Sequence, residues 1–467
     1  MSHQEIERHS REELIGLILV QAEQIASLQG SLTQLESDYD ALRMKFEKQH
    51  KPPTNSKNSS QPPSRDQKSG KVVNRPKRKH GPKEGHEKHE RKLVMQPDHV
   101  IELKAASCSG CQADLSGQAT ELVDVNQITE LPLAQAEVIE VRQYGVTCQQ
   151  CGHVEIMEPP EGLEMERTFG ARLEATVTYY RQEQHMSYER TEASMLTLHG
   201  VEISQGGIDQ IMQRSGQKGL QAAQEIQHTV QHSIVVNSDK TGARVDGQKA
   251  WEWVFCTLTA ILHGIKTTRG TDVMRSVMGD HQPEVWGSDC LPAQLKAAAQ
   301  LFQICLAHQL RNLQAVVDLY PTSLWARAMQ ALFRYAIHLR NQCDKLSLNQ
   351  YQTEILRIEW LCDRLLARKL IQPEARKLQK RYLKHREHLF VFLYREDVPP
   401  TNNVSERALR PSAVHRKVTG GFRSHWGADA YAALASVIDT AAIKGVNAFD
   451  AIQRLIGKPA LPLPVTP

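Results

Sequence analysis

The feature that most constrains the fold is a polar, basic segment, residues 49–93, that cannot belong to a hydrophobic core. It is rich in Pro, Ser, Asn, Lys and His and nearly free of large apolar side chains. Such a segment buries too little apolar surface to offset its conformational entropy, so we expect a disordered linker. Its basic residues outnumber its acidic ones by about three to one. It is therefore a solvated tether, a loose phosphate-binding arm, or both.

Residues 10–48, before the linker, carry the heptad pattern of a coiled coil. Apolar residues recur in alternating steps of four and three. The seam consists of Leu14, Ile18, Gln21, Ile25, Leu28, Leu32, Leu35, Tyr39, Leu42 and Phe46. A polar Gln21 in the seam costs stability and can select register or oligomer state. We expect self-association through this helix, because the linker leaves little core nearby; the alternative is an amphipathic helix packed on its own domain.

Bulk composition sets only broad limits. The chain has 467 residues with 40% hydrophobic content and a net charge of +4, which allows two to four folded domains. The N-terminus is polar, and no apolar run approaches the roughly 20 residues that cross a bilayer, so no signal peptide and no membrane association are expected. Nine cysteines in such a chain favour reduced thiols or metal binding over disulfides. We expect a cytoplasmic, bacterial protein.

Two Cys-x-x-Cys pairs predict a zinc-binding domain over residues 94–165. Cys108 and Cys111 form the first pair, and Cys148 and Cys151 form the second. This spacing lets both sulfurs of a pair face one tetrahedral metal ion, and strand-like residues between the pairs suggest a zinc ribbon. A redox dithiol is the alternative for one pair and a poor one for two. Four thiolates would close the coordination sphere, so the Zn²⁺ is expected to be structural.

Residues 166–228 have a helical pattern that resembles a helix-turn-helix. One helix is expected to end at Gly200, and a second is expected to begin after Ser204 as its N-cap. Helical hairpins are common, so DNA binding by this pair is one interpretation and plain packing the other.

Three acidic residues are candidates for a catalytic site, although they are far apart in the sequence. Asp239 is predicted near the end of a short strand, followed by an Asp246-Gly247 hairpin turn. Asp289 ends a second short apolar strand, and Glu406 is predicted in the first turn of a helix after Asn402. Spacing alone does not single these acids out, because other acids lie nearby: Asp246, Asp272, Asp280 and Glu284.

Two strand-end aspartates and a helix glutamate can meet at one edge of a sheet. Their oxygens suit Mg²⁺ or Mn²⁺, and two such ions can promote an in-line phosphoryl displacement. Glu406 is the single acid in a strongly basic stretch that runs to Arg423. A solvated helix face with an internal ion pair is the alternative to a metal ligand among DNA-binding bases.

The chain resembles transposases of insertion-sequence family 66 over nearly its whole length. The most specific stretch is NNVSERALRPSAVHRKVTGGFRSHWGADAYAALASVIDTAAIKGVNAFDAI, with CLAHQLRNLQ as a second one. The resemblance implies an Asp-Asp-Glu polynucleotidyl transferase with Asp239, Asp289 and Glu406 as catalytic metal ligands. It also implies a multidomain protein whose α/β ribonuclease H-like core spans 229–445, with a helical insertion at about 313–395 and a C-terminal tail at 446–467.

The resemblance also implies DNA contacts around the acids. His308 and Arg311 are expected near the site, and bases bracket the DNA backbone. These candidate DNA-binding residues are Lys240, Arg244, His308, Arg311, Arg407, Arg410, Arg416, Lys417 and Arg423. Gly420 and Gly421 are expected to form a flexible turn that lets the backbone approach the DNA strand. One position departs from the family pattern, since Lys240 follows the first aspartate where an acid is common.

Two functions remain open at the level of the sequence. The first is a transposase that cuts at the terminal inverted repeats of an element and joins the ends to target DNA, associated with the nucleoid when bound. Accessory proteins of the same element are possible partners. The second is a catalytically inactive, domesticated relative that only binds DNA, which Lys240 favours. A nuclease without strand transfer is a third reading.

Overall fold

A computed structural model describes residues 54–59, 92–131, 136–159, 162–290, 293–296 and 298–457, with scattered positions between 10 and 39. The described residues divide into two compact units. One unit lies within 1–67, 159–187 and 209–467, and the other lies within 68–158 and 188–208.

A five-stranded mixed sheet forms the centre of the larger unit. Its strands in chain order are β3 (Val235–Val245), β4 (Gln248–Cys256), β5 (Ile261–Lys266), β6 (Val285–Ser288) and β7 (Leu301–Ile304). The order across the sheet is β5-β4-β3-β6-β7. The first three strands are antiparallel neighbours, whereas β6 and β7 run parallel to β3. Fold class is therefore mixed α/β, as expected.

The hairpin between β3 and β4 follows from its turn residues. Asp246 and Gly247 both have positive φ, 48° and 68°, the backbone of a tight hairpin turn. The turn sets a register in which Val245 faces Gln248 and Asp239 faces Val254. The predicted Asp-Gly turn is confirmed.

Four helices lie between residue 171 and β6 in the described chain. They are α1 (Ala171–Gln182), α2 (Tyr188–His199), α3 (Gln205–Gln231) and α4 (Thr271–Met278). The predicted end of α2 is present, since Gly200 has φ 64°. The predicted cap of α3 is also present, because Ser204 Oγ accepts a hydrogen bond from the Gly207 amide at 3.2 Å.

A helical block separates β7 from the helix that carries Glu406. It contains α5 (Leu306–Leu319), α6 (Leu324–Asn341), α7 (Leu348–Leu366), α8 (Pro373–Lys384) and α9 (Val391–Tyr394). Its core is large and apolar, and includes Trp325, Phe333, Tyr382 and Phe392, all nearly or fully inaccessible. Val235 and Val285 of the sheet belong to the same cluster, which joins the helical block to the sheet.

The C-terminal segment is more ordered than the expected tail at 446–467. It follows α10 (Asn403–Thr419) and α11 (His425–Ile443), and contains α12 (Ala448–Ile456). Asn447 caps α12 by accepting from the Asp450 amide at 2.9 Å, and Ile452 is fully buried beside Ala175 of α1. The apolar spacing of this short helix decides its packing, and only the residues after 457 lie outside the described chain.

The region from 92 to 158 contains only one short hairpin among its described residues. Strands β1 (Gly145–Thr147) and β2 (Val154–Ile156) pair antiparallel, with Val146 opposite Glu155. No apolar residue described in this range is buried, and Met95, Val123 and Val138 are about 95% exposed. Among its described residues, the zinc-binding domain expected at 94–165 therefore consists of a hairpin and turns, with no buried apolar side chain.

The structure describes only part of the two N-terminal segments, the predicted coiled coil at 10–48 and the predicted linker at 49–93. Most of the coiled-coil segment 10–48 lies outside it, although the positions described between 20 and 39 are helical and exposed. Within the expected linker, residues 54–59 form a turn, in contrast to the prediction of disorder for 49–93. Asn58 is buried there and donates to Asp318 of α5 at 2.9 Å. Among the residues described, no helix is both long and apolar enough to cross a bilayer.

Candidate active site

The first two candidate acids lie on neighbouring parallel strands. β3 and β6 pair in a register that sets Ser238 opposite Ser288. Asp239 and Asp289 each follow one of these paired serines in the chain. β6 ends at Ser288, whereas β3 continues to Val245. The prediction that Asp239 lies near a strand end is thus corrected: it lies mid-strand, at the level where its parallel neighbour ends. The antiparallel pairing with β4 accounts for the extra length of β3.

A buried serine next to Asp239 joins the elements that carry all three acids. Ser238 Oγ accepts from Trp286 Nε1 of β6 and from Gln294 Nε2 just after Asp289, each at 3.0 Å. Its carbonyl accepts from Asn402 Nδ2 at 2.7 Å, at the start of α10.

Sequence reasoning treated Asn402 only as a helix cap. The side chain instead fastens the N-terminus of α10 to β3, and no cap hydrogen bond from it is present. The backbone N–H of Asn402 donates to Cys305 Sγ at 3.1 Å, which adds the start of α5 to the same junction. Glu406 follows in the first turn of α10, as predicted.

The charges of the three acids act on one another. Burial, with the nearby Asp289 carboxylate, raises the pKa of Asp239 to about 7, although the Lys240 amide and ammonium oppose the rise. The Glu406 carboxylate adds to the same rise. A carboxylic acid with this pKa is poised between protonated and ionised forms near neutral pH.

Lys240 lies against the second acid. Its ammonium is 3.5 Å from Asp289 Oδ2 and 5.6 Å from the centre of the Trp253 ring. The side chain is about 10% exposed, so this pair is shielded from solvent. The departure from the family pattern therefore supplies a counter-charge to Asp289.

A second cation lies against Glu406. Arg311 Nη2 of α5 donates to Glu406 Oε1 at 2.5 Å, and His308 Nδ1 is 3.6 Å from the same oxygen. Burial lowers the pKa of His308, and the Arg311 charge lowers it further, while Glu406 and Asp289 oppose the effect. The expected proximity of His308 and Arg311 to the acids is thus present in the structure.

The donor set fits a divalent cation in chemistry. Three carboxylates are what Mg²⁺ or Mn²⁺ prefers, and Asp289 Oδ1 is buried with no hydrogen-bond donor among the described residues. Lys240 and Arg311 each hold one oxygen of an acid, however. Within the part of the chain that is described, no group of three His, Cys, Asp or Glu side chains is gathered as a ready metal site.

A buried polar network that sequence reasoning missed lies beneath α10. Glu252 of β4 is fully buried and accepts from Ser412 Oγ, while Arg416 Nη1 is 3.6 Å from its Oε2. His263 of β5 contacts Glu252 at 3.3 Å and Asp439 of α11 at 2.9 Å. The sequence signal for this network was Glu252, a single acid between Trp251 and Trp253 in the apolar part of β4. The network fixes the sheet-facing side of α10, the helix that presents Glu406.

His263 provides the positive charge of this network. Burial alone disfavours the imidazolium, but hydrogen bonds and charge from Asp439 and Glu252 outweigh burial and raise the pKa of His263 to about 9. At neutral pH the network therefore contains a cation between two carboxylates.

The remaining predicted DNA-binding residues separate into exposed and inward-facing ones. Four are exposed: Arg407, Arg410, Lys417 and Arg423. Arg244 is exposed too, and its guanidinium donates to the Gly247 carbonyl at 3.1 Å. Arg416 points inward, because it lies near Glu252 and donates to Thr241 Oγ1 at 3.2 Å. Its side chain fastens α10 to β3 and β4.

The Gly420-Gly421 turn has a different partner from the one expected. Gly421 has φ 126°, and a Cβ there would lie 3.1 Å from the Arg244 carbonyl oxygen. The Phe422 amide donates to that oxygen at 2.9 Å, and the Asp246 amide donates to the Phe422 carbonyl at 2.9 Å. The glycines thus let the chain approach β3 of its own sheet.

Each Cys-x-x-Cys pair forms the same kind of turn. The Gln112 amide donates to the Cys108 carbonyl at 2.8 Å, and the Gly152 amide donates to the Cys148 carbonyl at 2.8 Å. Gln112 and Gly152 both have positive φ, 63° and 74°. Backbone amides at Gly110 and Cys111 lower the pKa of Cys108, and those at Cys151 and Gln150 lower that of Cys148. Each pair fits half a zinc site, but the described structure does not gather all four sulfurs.

Comparison with protein families matches residues 166–430 to the family described as transposase IS66 family. The match spans 265 of the 467 residues, more than half of the chain. It includes α1 to α3, the whole sheet, the helical block, α10 and the start of α11. No curated protein matches the chain.

Proposed function

This chain belongs to the IS66 family of transposases, and we propose that it cleaves phosphodiester bonds at the ends of an insertion sequence and joins the freed 3′-hydroxyls to target DNA. The observation that carries this proposal is that Asp239 and Asp289 follow paired serines of neighbouring parallel strands, while the Glu406 charge contributes to the raised pKa of Asp239. The mixed sheet, with three antiparallel and two parallel strands, is compatible with a ribonuclease H-like core.

Asp239, Asp289 and Glu406 would hold Mg²⁺ or Mn²⁺. When bound, such ions lower the pKa of an attacking water and stabilise the leaving oxygen of an in-line displacement. A bound cation would favour the ionised form of Asp239, whose pKa is about 7. Lys240 and Arg311, which pair with Asp289 and Glu406, would supply positive charge for scissile-strand phosphates beside the acids.

The exposed bases on α10 support a DNA surface next to this site. Arg407, Arg410 and Lys417 follow one another at three- to seven-residue spacing and lie on the solvent face, with Arg423 beyond the turn. Side chains of this type bind phosphates and position a duplex without reading its sequence. The α2 and α3 pair is a further candidate for DNA binding, through base contacts in a groove.

The cysteine pairs and the segment 10–48 have proposed roles in metal binding and self-association. One structural Zn²⁺ would be held by Cys108, Cys111, Cys148 and Cys151, as the matching turn geometry of the two pairs supports. Self-association through the segment 10–48 would bring two element ends together, with accessory proteins of the element as further partners. In support, Ile25, Leu28 and Leu35 are exposed apolar side chains among the few described seam positions.

A DNA-binding relative that does not cut is the second candidate. The observation that favours it is the Lys240–Asp289 pair, which neutralises a candidate metal ligand. The Asp289 side chain is about 26% exposed. A permanent ion pair there would weaken cation binding. Under this reading the exposed bases would hold DNA without turnover.

An end-cleavage assay with Mg²⁺ separates these functions. We expect the intact chain to cut DNA that contains the element end and to form joined products with target DNA. Asp239→Asn should lower cleavage by about 10³-fold or more while DNA affinity stays within about twofold. Asp246→Asn is the matched control, because it changes an aspartate of the same hairpin at the turn.

Three other outcomes are informative. Binding without any cleavage by the intact chain supports the second candidate. Cleavage without joined products supports a nuclease. Equal cleavage by Asp239→Asn and the intact chain contradicts the assignment of the three acids.

A further inference from the structure

Helix α8 in the helical block carries a stripe of basic side chains that has no role in the proposed active site or in the DNA surface on α10. Its buried side consists of Ala375, Leu378, Gln379 and Tyr382, which pack into the core of the block. The bases of its other side are Arg376, Lys377, Lys380, Arg381 and Lys384. Residues 376, 380 and 384 are four apart, as are 377 and 381, so the five side chains share one face. All are exposed except Arg381, which is half-buried.

The charge of this stripe is not compensated locally. Among the described residues, none of the five bases makes a salt bridge, and the one acid of the helix, Glu374, accepts a hydrogen bond from Tyr320. Neighbouring Arg386 differs, because it pairs with Asp363 at 2.6 Å and Glu359 at 3.8 Å. Five adjacent like charges repel one another unless a polyanion lies across them.

The C-terminal end of the stripe lies within electrostatic range of Cys290, the residue that follows Asp289. α8 packs against α5, which carries His308 and Arg311. Burial raises the pKa of Cys290, the residue after Asp289, and the charges of Arg381 and Lys384 oppose that rise. The stripe thus extends away from the second candidate acid along the helical block.

We propose that this face of α8 binds the phosphates of target DNA, an inference that rests on the proposed strand-transfer function. The nine residues from Arg376 to Lys384 span about 12 Å, which reaches roughly three or four phosphates of one strand. The stripe consists only of Lys and Arg, and exposes no Asn, Gln or Ser that would read bases. Contacts of this kind are independent of sequence, which suits a target more than a specific element end.

The test compares two triple variants of the full-length protein. Lys377→Gln, Lys380→Gln and Lys384→Gln together remove three charges from the stripe. Arg334→Gln, Lys345→Gln and Arg364→Gln together remove three exposed charges from α6, α7 and the turn between them in the same helical block. Equal melting temperatures of both variants and the parent would establish that all three proteins are folded.

The first measurement is binding to a duplex that contains no element sequence, over a series of salt concentrations. We expect the stripe variant to bind about tenfold more weakly at low salt, with a slope of log K against log salt that is smaller by about 3. The control variant should match the parent. The same affinity and slope in both variants would overturn the proposal.

The second measurement follows cleavage and joining separately. We expect the stripe variant to cut element ends within about twofold of the parent but to form about tenfold fewer joined products. An equal loss of cutting and joining would assign the stripe to the element end and overturn the choice of target DNA. If the parent itself does not cut, the proposed function fails, while duplex binding still reports whether α8 contacts DNA.

Discussion

The two regions with candidate metal ligands are organised in opposite ways. Around the sheet, Asp239, Asp289 and Glu406 span 167 residues of sequence, and the elements that carry them are joined through buried Ser238. Like the four cysteines, these acids are not gathered into a ready metal site among the described residues. Between 92 and 158, each cysteine pair is well formed, yet the two pairs, 36 residues apart, are not gathered among the described residues. No described apolar residue of that region is buried.

The difference shows what each kind of site depends on. Backbone hydrogen bonds over five residues suffice for a Cys-x-x-Cys turn. Collecting distant groups needs either a core or a ligand that binds them all. The acids have a core, with Ser238 at its junction, whereas the cysteines would need the metal itself to supply the organising free energy.

The largest effect is expected from breaking the zinc site. If the metal organises residues 92–158, the purified protein holds about one Zn²⁺ per chain, and Cys148→Ser releases it. Loss of a structural zinc removes on the order of 10 kcal/mol of apparent binding free energy, so amide protection in 92–158 should collapse while that of the sheet persists. Metal analysis and hydrogen exchange measure both effects.

Cys343→Ser is the control for this experiment, because that thiol lies in the helical block and accepts from Arg340. A protein that contains no zinc, or a Cys148→Ser variant with unchanged protection, would contradict the role given to the metal. The two regions would then differ for a reason other than metal binding.

An intermediate effect is expected from the buried network beneath α10. The pKa of His263 is raised to about 9 in the folded state, so its contribution to stability is complete below about pH 6.5 and is lost as pH rises through about 9. His263→Gln should therefore lower stability by about 3 kcal/mol at pH 6. The difference in melting temperature between parent and variant should shrink by pH 10.

The exposed His232→Gln is the matched control and should not change the melting temperature. A difference between parent and His263→Gln that stays constant from pH 6 to pH 10 would show that the pKa of His263 is not raised in the folded protein. The network would then stabilise α10 by packing alone.

The smallest effect is expected at the turn formed by residues 54–59. Asn58 donates to Asp318 from a partly buried position, a contact worth about 1 kcal/mol. A double-mutant cycle with Asn58→Ala and Asp318→Ala should return a coupling free energy of that size in thermal unfolding. Zero coupling would mean that this part of the linker gains no stability from its contact with α5.

Local features were predictable from the sequence because few neighbouring residues decide them. The Asp246-Gly247 turn, the end of α2 at Gly200, and the Ser204 cap all appear as expected. Glu406 also falls in the first turn of its helix. In each case steric preference or a hydrogen bond within a few residues favours one backbone conformation.

Other features depended on partners far away in sequence. β3 is longer than its apolar run because β4 pairs with it past Asp239, and the glycines after α10 approach that same strand. Arg416 looked like a DNA contact, yet Glu252 and Thr241 draw it inward. Periodicity could not reveal these pairings, since it carries no information about which elements meet.

By itself, then, the sequence determined the chemistry on offer: three carboxylates, two thiol pairs, and bases arranged along helices. Only the tertiary structure decided which of these groups meet. It set Lys240 against Asp289 and Arg311 against Glu406, and turned the bases of α8 outward. The physical reason is that short-range backbone preferences act within one turn or strand, whereas strand register and apolar burial act over the whole chain.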